Sequence, residues 1–251
     1  MDWLLFFILV ALLWTFSLCV VLGVSRNQSS PFSVGRRNIL LVVSHPDDES
    51  MFFSPTVLYL ASRGHNVHVL CISIGNADGQ GTLREEELYK ACDVLKIPFR
   101  QVKVLNHPDL QDGFGNAWNH RLLAKIVGEE IESRSIDLVI TFDSYGVSGH
   151  PNHRDVYHGI CLLVPKCSRN IEAWKLISTS ITRKYIGPVD IWFSLLWGLY
   201  YHQGHIYCIL NGHPQRSFSA MARHASQWVW FRKLFVVFSS YTYINTLQKI
   251  N

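Results

Sequence analysis

The chain begins with an apolar run over 3–22 that contains no charged residue. At about 1.5 Å of rise per residue, a helix of that length covers roughly 30 Å, the hydrocarbon thickness of a bilayer. This predicts a transmembrane anchor over 3–22. The next stretch, 23–38 (GVSRNQSSPFSVGRRN), is polar and reads as a linker. From residue 39 onward the pattern changes, and 39–251 reads as one domain. Short apolar runs at 39–43, 67–74, 102–105 and 136–142 suit buried strands. Segments 49–63, 82–95 and 118–134 suit helices. Another helix is expected to begin near Pro151, since proline is tolerated at the first helical position. Thr82-x-x-Glu85 resembles a capping box, and Lys96-Ile97-Pro98 is a stop signal. Further strands are expected around 174–180 and 206–210. Strands alternating with helices predict an α/β fold: a Rossmann-like, mostly parallel sheet flanked by helices, preceded by one N-terminal transmembrane helix.

Composition sharpens this picture. At 48% apolar residues, disorder is excluded as the main state, and 251 residues suit one sizeable domain. Charged residues reach only 17%, against about 25% in an average soluble domain, which points towards a membrane. A net charge of +4 is too small to argue for nucleic acid. The flanks of the apolar run set an orientation. No Lys or Arg precedes it, and Arg26, Arg36 and Arg37 follow it, so the large C-terminal part is expected in the cytoplasm. The run is too long for a signal peptide and lacks a basic n-region and a small-x-small site, so it reads as uncleaved. Asn27-Gln28-Ser29 is a glycosylation sequon, but on that topology it reads as a chance tripeptide. The six cysteines include no C-x-x-C pair and read as reduced, mostly buried thiols. Segments 189–201 and 228–238 are rich in aromatics but too short to span a bilayer. They suit either core helices or interfacial segments, with Arg232 and Lys233 near lipid phosphate.

In open α/β sheets, function sits at the carboxyl ends of the strands. The first strand is followed by Ser44-His45-Pro46-Asp47-Asp48-Glu49, and the fourth by a loop ending in His150-Pro151-Asn152-His153. Two imidazoles and a carboxylate with an open position make a common catalytic zinc set. His150 and His153 are spaced to share one face of a nascent helix. Taken singly, either loop could simply cap the following helix, with Asp47 or Asp48 as N-cap. Their joint position on one sheet edge favours a metal site. G-x-S-x-G, H-E-x-x-H and a P-loop are all missing.

The segments VSHPDDESMFF and GVSGHPNHRD resemble the two motifs of the PIG-L/LmbE-like de-N-acetylase family, over about 39–179. Gly81-Thr82-Leu83-Arg84-Glu85-Glu86-Glu87 resembles a third family element. The resemblance implies metal binding by His45, Asp48 and His153, with Zn2+ the leading ion. It implies that Asp47 is the general base. His150 would stabilise the oxyanion and protonate the leaving amine. Arg84 would contact substrate phosphate or hydroxyl. Asn152 stands where many members have Asp, which puts charge support for His150 in question. The anchor, the length and the basic-aromatic tail resemble the eukaryotic branch, which deacetylates N-acetylglucosaminyl-phosphatidylinositol early in GPI-anchor synthesis at the cytoplasmic face of the endoplasmic reticulum. The partners so implied are a glycolipid substrate and that membrane, with no nucleic acid. No obligate protein partner is indicated. Two other readings stay open: a deacetylase of a small soluble GlcNAc glycoside, and a non-catalytic glycolipid-binding subunit.

Overall fold

The computed structural model describes residues 2–27, 30–32, 35–167, 171–200 and 206–250. The sequon therefore lies partly outside the described residues, as do parts of the expected linker. In chain order the elements that matter are α1 (Asp2–Asn27), β1 (Asn38–Val43), α2 (Asp48–Met51), α3 (Ser54–Ser62), β2 (Asn66–Cys71), α4 (Gly81–Val94), β3 (Val102–Val104), α5 (His120–Ser133), β4 (Leu138–Phe142), α6 (Gly146–Gly149), α7 (Pro151–Leu163), β5 (Glu172–Leu176), α8 (Ile181–Lys184), α9 (Asp190–Tyr200), β6 (Ile206–Leu210), α10 (Pro214–Met221), α11 (Trp230–Phe238) and β7 (Ile244–Lys249).

All seven strands form one sheet in the order β3-β2-β1-β4-β5-β7-β6. The first five in that order are parallel, while β7 pairs antiparallel with both β5 and β6. The chain steps outward from β1 through β2 to β3, then returns to place β4 on the other side of β1. That reversal makes β1 and β4 the switch point of the sheet, and the loops leaving both strands open at the same edge.

The β1 run is buried on both faces, as a central parallel strand should be. Ile39, Leu41 and Val43 join one core with Val57, Leu60, Leu88 and Phe142, beneath α3 and α4. Leu40 and Val42 face the other core, with Leu123, Val127, Val156 and Ile160 of α5 and α7. The expected helix over 49–63 is two helices, because Pro55 sits in the first turn of α3 and cannot continue α2. The capping box does not form: α4 starts at Gly81, and Thr82 lies inside it. β7 (INTLQK) was not expected, since an edge-proximal antiparallel strand with two large apolar residues gives little pattern.

The N-terminal helix runs past its expected boundary. α1 continues to Asn27 and so takes in the first part of the linker. Among the described residues, no helix is long and apolar enough to cross a membrane. The described side chains of α1 include exposed large apolar residues, among them Trp3, Phe7, Leu13 and Phe16. Trp192 of α9 ties α1 to the domain. Trp14 packs on Trp192 of α9 at 5.2 Å, and Trp192 Nε1 donates to Ser17 Oγ at 2.7 Å.

Candidate active site

The loop after β1 turns sharply at Asp47, which has φ 124, a conformation unusual for any residue but glycine. Asp47 heads α2 but makes no side-chain capping bond, so its carboxylate is not there to cap the helix. Its backbone N–H donates to Glu49 Oε2 at 3.1 Å. Glu49 is fully buried and accepts from His224 Nε2 at 2.7 Å. A buried pair between α2 and the turn after α10 thus holds the strained residue in place. Strain of this kind persists where the surroundings over-determine it, typically at functional sites.

Asp48 turns back towards the strand. Its Oδ2 accepts the backbone N–H groups of Ser44 and His45 at 3.0 and 2.9 Å, and its Oδ1 lies 3.2 Å from His153 Nε2. His45 Nδ1 is 3.9 Å from Asp48, while His45 Nε2 meets Asp112 Oδ1 at 3.0 Å. His153 arrives from the first turn of α7, and its ring stacks on Phe142 at 4.1 Å. His153 Nδ1 donates to the carbonyl of Gly146 at 3.0 Å. A side chain on Gly146 would press a Cβ to within 2.6 Å of His153, so only glycine lets this loop close on the imidazole.

That hydrogen bond leaves the lone pair of a neutral His153 on Nε2, facing a carboxylate oxygen at 3.2 Å. Two acceptors in that position repel unless a cation or a proton lies with them. The donor chemistry therefore suits a divalent metal, and a second-neighbour carbonyl fixing the ligand tautomer is the usual arrangement. His45, His150 and His153 offer ligand atoms that all lie within 4.8 Å of one another. The structure thus brings together His45, Asp48 and His153, and sets His150 close enough to join them.

Electrostatics differ sharply between the two adjacent aspartates. Burial opposes ionisation of Asp48, but His153, His45 and the donated N–H groups outweigh it and hold its carboxyl well below the usual range. Burial pushes the Asp47 carboxyl up, with the Asp48 charge adding to it, although Arg232 and Arg84 pull the other way. Arg232 Nη1 lies 2.8 Å from Asp47 Oδ2, and Arg84 Nη2 lies 3.5 Å from it. His150 is lowered to about 4, mainly by burial and then by His45 and His153. Its Nδ1 accepts the Asn152 backbone N–H at 3.3 Å, so the proton of the neutral ring is on Nε2.

Arg84 is buried and donates to the carbonyls of Gly75 and Pro46, both at 2.9 Å, besides approaching Asp47 and Asp112. It binds two loops together as well as lining the cavity. Gly75 has φ +69, and a Cβ there would meet the guanidinium at 2.6 Å. The Asn152 side chain does not reach the His150 ring. Its Oδ1 lies 3.2 Å from His45 Nε2, and its Nδ2 donates to Asn116 O. Reading the sequence missed Asp112, Arg232 and His224 as parts of this site. Asp112 could have been found by extending the search to the loop after the third strand. Arg232 and His224 come from a region with no motif around them.

His45, Asp47, Asp48, Arg84, Asp112, His150, His153 and Arg232 line a cavity of about 900 Å3. Met51, Phe52, Tyr185, Phe231, Leu234, Phe235 and Phe238 add apolar wall to it. Water attack on a carbonyl carbon, assisted by a carboxylate and a neutral imidazole beside a cation site, is within the reach of such an arrangement.

Residues 40–163 match the family model described as PIG-L, GlcNAc-PI de-N-acetylase. The chain is 35% identical, over 252 residues, to a probable N-acetylglucosaminyl-phosphatidylinositol de-N-acetylase of Dictyostelium discoideum, covering 90% of this chain and 98% of that protein. It is 35% identical to the N-acetylglucosaminyl-phosphatidylinositol de-N-acetylase of Bos taurus, over 89% of this chain and 88% of the relative. Among solved structures, N,N'-diacetylchitobiose deacetylase from Pyrococcus horikoshii superposes with a TM-score of 0.65 at 13% identity, covering 91% of this chain and 88% of that one. That likeness speaks for the fold.

Proposed function

The chain belongs to the GlcNAc-PI de-N-acetylase family, and from that premise we propose that it removes acetyl from N-acetylglucosaminyl-phosphatidylinositol to give glucosaminyl-phosphatidylinositol, early in GPI-anchor biosynthesis. The observation that carries this reading is the convergence of His45, Asp47, Asp48, His150 and His153, from two distant loops, on the wall of one cavity. His45, Asp48 and His153 would hold a divalent metal, Zn2+ for preference, which when bound supplies a Lewis acid for the acetamide carbonyl and lowers the pKa of water to near 7.

The residues divide the remaining work. Asp47 Oδ2 is engaged by Arg232 and Arg84, so Oδ1 is the atom left to take a proton from the attacking water. Its upward shift brings the carboxylate closer to the pH at which it must accept one. His150 presents Nε2–H to the carbonyl oxygen as that oxygen gains charge. When the C–N bond breaks, acetate departs and the proton collected by Asp47 completes the amine; a His150 ring lowered to about 4 is neutral at pH 7, so the donation expected of it passes to Asp47. The His224–Glu49 pair keeps Asp47 aimed throughout.

Membrane attachment belongs to the same proposal. The uncharged run 3–22 anchors the protein once in the endoplasmic reticulum membrane, with the catalytic domain cytoplasmic. Arg26, Arg36 and Arg37 beyond the run support that side. So do six cysteines that form no disulfide. α9 and α11 expose Phe193, Leu196, Trp230, Phe231, Leu234 and Phe238, apolar surface suited to lipid, and Phe231, Leu234 and Phe238 also line the cavity.

Purified protein in mixed micelles is expected to release acetate from N-acetylglucosaminyl-phosphatidylinositol, with one free amine formed per acetate. Turnover of a water-soluble GlcNAc-inositol but not of the glycolipid would move the assignment to a small-glycoside deacetylase. Binding of the glycolipid without turnover would make the chain a binding subunit.

A further inference from the structure

Hydrolysis of an acetamide does not account for two cations in the cavity. From residue 184 onward, the chain contributes Lys184 and Arg232 to the lining and no carboxylate. Lys184 closes α8 and is 8% exposed. Its Nζ donates to the carbonyl of Val147, and among the described residues it forms no ion pair. A buried ammonium with no anion nearby is costly, so such a group is normally matched to a counter-charge. Arg232 reaches Asp47 and Gln227 through Nη1. Among the described contacts, Nη2 and Nε are left over, two edges of the planar fork that suits phosphate oxygens. Both cations line the same cavity, where Tyr185, next to Lys184, packs edge-on against Phe235, three residues beyond Arg232, at 6.0 Å.

Arg232 lies between polar and apolar lining: it touches the catalytic group through Asp47, and its own helix adds Phe231, Leu234 and Phe238 to the cavity wall. A glycolipid of the proposed class likewise has its phosphodiester between polar and apolar parts: acetamido sugar, inositol, phosphodiester, acyl chains. Arg84 is set apart from this task by its place between two loops, where Nη1 and Nη2 donate to the carbonyls of Gly75 and Pro46 and Nε is buried.

We propose that Lys184 and Arg232 form a phosphodiester-binding subsite, which selects inositol-phosphate glycosides over their phosphate-free counterparts. This rests on the glycolipid reading above and adds to it the residues that recognise the phosphate.

The test uses two water-soluble substrates, GlcNAc-inositol and its methyl phosphodiester, with wild type, Lys184→Met, Arg232→Met and Arg232→Lys in the metal-loaded full chain. The quantity read is the ratio of kcat/KM for the phosphodiester to that for the phosphate-free compound. Any shared loss through Asp47 or Val147 cancels in that ratio. Each Met variant is expected to lower the ratio about 10- to 100-fold, mainly through KM, as loss of a charge-assisted contact should. Arg232→Lys is expected to restore part of it. An unchanged ratio in either Met variant, or a wild-type ratio near one, overturns the subsite. Failure of the wild type to deacetylate the full glycolipid would count instead against the underlying functional reading.

Discussion

Asp47→Asn separates a catalytic carboxylate from a structural one. The replacement is nearly isosteric, and asparagine tolerates the positive φ of this position about as well as aspartate does. Helix α2 loses nothing, because Asp47 makes no side-chain capping bond. The metal set is untouched, since His45, Asp48 and His153 remain. Two effects are expected. Removal of a positioned base lowers kcat by about 10²–10⁴, or roughly 3–5.5 kcal/mol of barrier. Neutralising a carboxylate that burial pushes up also removes a cost of burying charge, so Tm should hold or rise slightly even though the 2.8 Å contact with Arg232 loses its charge. Acetate release, metal content and thermal unfolding of one purified preparation read all three. Full metal and near wild-type turnover would refute the general-base assignment, and the proton path through Asp47 with it.

Asp112→Asn should weaken metal affinity about 10- to 100-fold, because Asp112 Oδ1 orients His45 at 3.0 Å; a chelator titration that matches wild type would contradict this. Glu130 is buried, which favours its neutral form, but Lys103 and Arg134 outweigh burial and hold its carboxyl below 4.5. Its contribution to stability is therefore complete above about pH 4.5 and fades as pH falls through the lower folded value. Glu130→Gln should unfold about 1–3 kcal/mol more easily at pH 7, with the gap closing in acid; a gap that widens in acid would reverse the sign. A nitroxide on Val237→Cys, placed on the exposed face of α11, should collide with oxygen more than with a water-soluble nickel complex in proteoliposomes; the opposite order would remove α11 from the lipid surface.

What the sequence made legible follows from how locally each feature is written. β1 and β4 are continuous apolar runs, and the loops that leave them carry the histidines and aspartates in two short motifs. The switch-point topology then brings those motifs together with no further information needed. β7 has a weak pattern, and its place between β5 and β6 is decided by tertiary pairing. In the sequence Arg232 reads as lipid-facing because its segment, 228–238, is dense in aromatics; only the path of α11 over the cavity turns its guanidinium to Asp47. His224 reaches Glu49 across 175 residues of chain, a contact no local signal announces. Asn152 was read through its neighbour His150, whereas its side chain serves His45 and the 113–116 loop.

The central claim is that a metal held by His45, Asp48 and His153 is needed to deacetylate the glycolipid. The most direct measurement strips the purified protein with a chelator and titrates metal back while acetate release from N-acetylglucosaminyl-phosphatidylinositol is followed. Activity is expected to vanish on stripping and to return with a break at one equivalent of metal, and Asp48→Ala should neither retain metal nor recover. Full activity in the stripped protein, or full metal retention by Asp48→Ala, would contradict the account.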